Sequence, residues 1–91
     1  MSAAVAGFLE ASGLAMRVQQ AAAIDAWKTI VGRQIAAVTE AQVVAADGTL
    51  FVAVRTNAWM TELTMLERDL LRTLHEHGYT GVKRIRWQLM R

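Results

Sequence analysis

The sequence predicts an α+β fold: a two-layer sandwich with helices on one face of a three-stranded sheet. Three observations lead to it. Asp47-Gly48 is a tight-turn signal between β-rich stretches, since Gly tolerates the positive φ that a two-residue hairpin loop requires. Leu50 to Val54 then alternate, with Leu50, Val52 and Val54 on one face and Phe51, Ala53 and Arg55 on the other. After the junction at Thr56-Asn57 the period changes from two to about 3.6, because Trp59, Leu63, Leu66, Leu70 and Leu74 form one helical stripe.

The elements follow in the order α-α-β-β-α-β. Ser2 to Glu10 is small and apolar, with Val5, Phe8 and Leu9 on one helical face, and Ser12 is placed to cap what comes next. Leu14 to Val31 reads as the second helix: Leu14, Val18, Ala21, Ile24, Trp27 and Val31 recur at helical spacing, and Gly32 sits where the helix would stop. Ile35 to Ala45 is β-branched, without Pro or Gly, and is expected to pair through Asp47-Gly48 with Leu50 to Arg55. Its alanines are also compatible with helical continuation to about Ala37. At the Thr56-Asn57 junction a side-chain oxygen can accept from an unpaired first-turn N–H of the long helix, which is expected to end near His77-Gly78. Val82 to Met90 alternates again, with Ile85, Trp87 and Leu89 on one side and Arg84, Arg86 and Gln88 on the other. A right-handed crossover through the long helix would set this strand parallel to the second.

Ninety-one residues make one domain, 1–91, without repeat or linker. So short a chain buries roughly 60–65% of its unfolded surface. The composition compensates, being 54% hydrophobic with three Trp. The expected core is Trp27, Leu50, Val52, Trp59, Leu63, Leu66, Leu70 and Trp87. With no Cys, neither a disulfide nor a thiolate zinc site exists. No positively charged side chain precedes Arg17, so no signal-peptide pattern is seen, and no run approaches the ~20 apolar residues of a membrane span. The cytoplasm is the expected location.

The sequence offers little chemistry. His75 and His77 stand at i and i+2, roughly 200° apart on a helix, and cannot chelate one ion there. There is no phosphate-binding Gly-x-x-x-x-Gly-Lys. The two Ser lie at positions 2 and 12, and Glu62, Glu67, Asp69 and Glu76 follow a helix surface, interleaved with Arg68 and Arg72. No enzyme, cofactor or metal is implied. Gly78-Tyr79-Thr80-Gly81 matches the backbone clamp of KH domains but joins a helix to a strand, where Gly78 serves as a helix stop.

Two surfaces stand out. Net charge is only +2, yet Val82 to Arg91 carries four basic residues and no acid. Lys83, Arg84, Arg86 and Arg91, joined by the outward Arg55, are candidate phosphate contacts. Edge strands also carry charge simply to prevent aggregation. Val38, Val44, Phe51 and Ala53 point away from the helices on the same alternation and form a candidate partner interface.

Trp27-Lys28-Thr29-Ile30-Val31-Gly32, Ile35-Ala36, Asp47-Gly48-Thr49-Leu50-Phe51-Val52, Ala58-Trp59-Met60-Thr61-Glu62-Leu63 and Val82 to Trp87 together resemble the DciA family, over about Leu14 to Trp87. The resemblance implies a KH-like domain in a bacterial protein that recruits and helps load the replicative DNA helicase. It also implies DNA binding and no ATPase of its own. Family members often carry a C-terminal extension that contributes to helicase binding; this sequence ends at Arg91, after the last strand. The leading expectation is thus a non-enzymatic replication module that binds the helicase, and DNA weakly. The alternatives are an RNA-binding KH-like module and a protein-only interaction domain or homodimer.

Overall fold

The α-α-β-β-α-β order is present in the computed structural model, which describes residues 14–90. The helix expected over Ser2–Glu10 and the Ser12 cap lie outside the described residues. The elements are α1 (Leu14–Val31), α2 (Arg33–Ala36), β1 (Thr39–Val44), β2 (Thr49–Val54), α3 (Asn57–Glu76) and β3 (Arg84–Leu89). In sheet order β1-β2-β3, β1 pairs antiparallel with β2 and β2 pairs parallel with β3. Parallel neighbours need a long crossover, and α3 supplies it.

The helices share one face of the sheet. Leu50, Val52 and Val54 of β2 are fully buried, and Ile85 of β3 is buried beside Leu50. Against them pack Ala23 and Trp27 from α1 and Leu63, Leu70 and Leu74 from α3. Leu66, Trp59 and Trp87 are half-buried at the margin of this cluster.

α1 turns a different side inward from the one its apolar residues suggest. Gln20, Ala23 and Trp27 are buried, whereas Val18 and Ala21 face solvent. Ala23 lets the helix approach the core closely, and Trp27 fills the space beyond it. The Trp27 Nε1–H donates to Thr39 Oγ1 at 2.9 Å, and the Thr39 hydroxyl donates to the Ile35 carbonyl at 2.7 Å. One buried relay thus joins α1, α2 and the start of β1, which matters because a buried polar group without a partner costs about 1–3 kcal/mol. The Trp27 and Trp87 rings meet at 6.2 Å between centroids with a 58° tilt, a favourable aromatic geometry.

The expected strand Ile35–Ala45 begins later than the sequence suggests. Beyond Gly32 the chain makes one more helical turn, closed by the Ala36 N–H to Gly32 carbonyl bond at 2.9 Å, and Ile35 and Ala36 are helical. β1 then carries a bulge between Ala41 and Val43. Thr39 and Ala41 oppose Val54 and Val52 on the helix side, but past the bulge Val43 opposes Phe51 and Val44 opposes Leu50. The extra residue reverses which side each later residue faces. Val44 therefore joins the core at 8% exposure, which corrects its expected place on the open face; Val43, 51% exposed, takes that place.

α3 is bounded as its sequence suggests. Thr56, in extended conformation, accepts the Trp59 N–H on its hydroxyl at 3.1 Å. At the other end Gly78 adopts φ +95; its N–H donates to the His75 carbonyl and the Tyr79 N–H to the Leu74 carbonyl, the paired bonds of a Schellman stop. Among the described residues no helix is long and apolar enough to cross a membrane.

Candidate nucleic-acid interface

The basic residues gather where two loops meet at one end of the sheet. Inside the Ala45–Thr49 hydrogen bond the turn between β1 and β2 is three residues, Ala46–Gly48, rather than two. Ala45 N–H donates to the Thr49 carbonyl at 2.8 Å, Gly48 N–H returns to the Ala45 carbonyl at 2.9 Å, and only Gly48 takes a positive φ, +92. The Gly48 carbonyl accepts from Lys83 N–H at 2.7 Å and Arg84 N–H at 3.3 Å. A Cβ at Gly48 would collide with the Lys83 side chain and lie 2.8 Å from the Gly81 carbonyl oxygen. The hairpin tip is therefore pressed against the α3–β3 loop.

That loop is itself held from two sides. The Gly81 N–H donates to Gln19 Oε1 at 2.7 Å, and Gln20 Nε2 donates to the Gly81 carbonyl at 3.3 Å. From α3, His75 Nε2 lies 2.6 Å from the Val82 carbonyl, which can only accept, so this nitrogen carries the proton. With both polar backbone groups of Gly81 occupied, the Gly-x-x-Gly segment is a structural joint. The Gln19-Gln20 clamp was missed in the sequence. Its only signal was a polar pair on a helix whose neighbours are mostly apolar.

Lys83, Arg84 and Arg86 are all exposed at or near this end. Parallel register sets Arg84 beside Thr49 and Arg86 beside Phe51, on the sheet face opposite the described helices. Arg55 is exposed too, but four residues beyond Phe51, about 13 Å along β2 at ~3.3 Å per residue. The structure thus brings Lys83, Arg84 and Arg86 together and leaves Arg55 apart. Arg91 lies outside the described residues. Among the described residues no carboxylate is within ion-pair distance of Lys83, Arg86 or Arg55, whereas Arg84 reaches Asp47 at 3.3 Å.

The row beside these cations is apolar. Val43, Phe51 and Arg86 lie across the open face in register, with Thr49 and Ala53 before and after Phe51 on β2. Phe51 is half-buried, and Ala53 is buried at 5% exposure despite facing away from the helices. Val38 precedes β1 in a turn, half-buried, its carbonyl accepting the Arg55 N–H at 3.0 Å.

The helix face expected to be solvated is partly structural. Glu67 accepts the Trp87 indole N–H at 3.2 Å, and Asp69 pairs with Arg72. His77 Nδ1 contacts the Thr73 carbonyl at 2.9 Å, so both His rings are engaged with backbone oxygens.

A family model described as DciA, the Dna[CI] antecedent, matches residues 1–87. No curated protein matches the chain.

Proposed function

We propose, since this chain belongs to the DciA family, that it is a non-enzymatic accessory of DNA replication, taking part in helicase loading and holding DNA weakly on the open face of its sheet. The observation that supports the DNA contact is the exposure of Arg84 and Arg86 on the sheet face opposite the described helices, with Lys83 exposed in the loop just before them. Arg55 would extend the contact along β2, and Arg91 is a further candidate phosphate contact. Each cation that meets a phosphate releases counterions, so the affinity is electrostatic and independent of base identity. With so few contacts it lies at about micromolar or weaker in physiological salt.

The test is fluorescence anisotropy with labelled single-stranded and duplex oligonucleotides at several salt concentrations. Log affinity should fall with log salt by about 0.7 per contact on single strands. Lys83→Glu with Arg86→Glu should abolish binding while leaving the melting temperature nearly unchanged, because both side chains are exposed. Unchanged binding by this double variant would overturn the nucleic-acid reading. RNA bound in preference to DNA would move the module to RNA metabolism.

Val43 and Phe51 favour a second reading, contact with a protein partner through the same face, with Val38 and Ala53 at its rim. Co-purification with the replicative helicase, lost on Val43→Asp, is its expected signature. Retention of the helicase by that variant would remove this face from the contact.

A further inference from the structure

Arg84 differs from its basic neighbours in being already occupied. Its NH1 group donates to Thr49 Oγ1 at 3.0 Å and lies 3.3 Å from Asp47 Oδ2. The other carboxylate oxygen, Asp47 Oδ1, accepts the Thr49 N–H at 3.0 Å. Hydrogen bonding from Thr49, and after it the charge of Arg84, holds the Asp47 carboxyl below the usual carboxylate range, so it is ionised at neutral pH. The loop carrying it cannot easily swing aside, because the Gly48 carbonyl is bonded to Lys83 and Arg84 N–H groups and Gly48 packs directly under the Lys83 stem. A negative charge is thus fixed within the basic group.

We propose that Asp47 is a built-in competitor for phosphate: its carboxylate occupies Arg84, so a nucleic-acid backbone meets Lys83 and Arg86 first and gains Arg84 only by displacing it. This rests on the nucleic-acid reading given above. The competition keeps binding weak and quickly reversible, and it makes Asp47 the residue that sets how many cations the ligand engages. The pair is exposed on both sides, so displacing it is cheap. A single-stranded backbone, whose phosphates adjust their spacing, is the ligand best able to do so.

Asp47→Asn tests this, because the amide oxygen can still accept the Thr49 N–H while the charge is gone. The probe is a labelled single-stranded oligonucleotide of mixed sequence. The variant should bind about two- to fivefold more tightly in low salt, and its log–log salt slope should steepen by about 0.7, one further contact. A purely structural role for Asp47 would not move that slope. In an Arg84→Gln background the same substitution should give no gain, since nothing remains to be released. Near-UV circular dichroism, reporting the Trp27–Trp87 contact, verifies that each variant keeps the parent fold. Parental affinity and slope for Asp47→Asn, with binding still lost in the Lys83→Glu, Arg86→Glu protein, would overturn the competitor and leave the basic surface standing. A gain that persists without Arg84 would also overturn it, as a general effect of net charge. If parent and Asp47→Asn both fail to bind at low salt, the nucleic-acid reading falls, and the competitor with it.

Discussion

Trp27 is the residue on which the two layers depend. It is 1% exposed, touches Trp87, and passes its N–H to a buried Thr39 hydroxyl that in turn serves the end of α2. Trp27→Ala would open a cavity and break the relay, a loss of about 3–5 kcal/mol, enough to unfold most of a small domain. Trp59→Ala should cost distinctly less, because Trp59 is only half-buried in the first turn of α3. Thermal melts of the two variants check the ranking, and equal losses would contradict it. From sequence the order looks reversed, since Trp59 opens the longest apolar stripe. In α3 periodicity shows which side of the helix faces the core; it does not show how far along the helix the sheet extends. The same limit hid the role of Asp47: the Asp-Gly pair announces a turn, but only the folded register brings Arg84 within reach of that carboxylate.

Among the elements, those with strong local signals were legible and those decided by pairing were not. The change of period at Thr56, the capping hydroxyl and the Gly stop define α3 within a residue or two. β1 shows the opposite. A strict alternation counted back from a two-residue turn at Asp47-Gly48 places Val44 opposite Phe51 and outward; the longer turn and the bulge after Ala41 set it opposite Leu50 and inward. No residue type announces that bulge, because its cause is the need to bring Thr39 and Val44 onto the helix side together. α1 misled for a related reason: its clamp on Gly81 requires Gln20 inside, which rotates Val18 out. The junction of hairpin and α3–β3 loop carries a prediction of its own. Gly48→Ala places a Cβ against Lys83 and the Gly81 carbonyl at a positive φ, so it should destabilise by more than about 1 kcal/mol, above the usual surface change. Because Gly48 also anchors Lys83 and Arg84, the variant should lose nucleic-acid affinity in step with its loss of order at this end. A urea midpoint equal to the parent's would show that the two loops do not bear on each other.

At the scale of the molecule, topology sets a net acidic α3 and a basic end of the sheet on opposite faces, a separation that the net +2 conceals. α3 carries Glu62, Glu67, Asp69 and Glu76, and it packs on the sheet face opposite to Arg84 and Arg86. An acidic helix is repelled by phosphates and cannot serve as a major-groove reader, which favours the sheet side over α3 for the proposed nucleic-acid contact. On that side the described cations are long flexible side chains at a strand edge, with no helix end or rigid side-chain pair aimed at base edges. Such contacts position a backbone and carry no sequence information. Single strands of unrelated sequence but equal length should therefore bind within a few-fold of one another, and their differences should not grow as salt is lowered. Anisotropy titrations across a panel of such oligonucleotides measure this directly. One sequence bound tenfold more tightly than the rest would point to base readout that these side chains do not provide, and would transfer the recognition from the basic end of the sheet to the Val43–Phe51 row beside it.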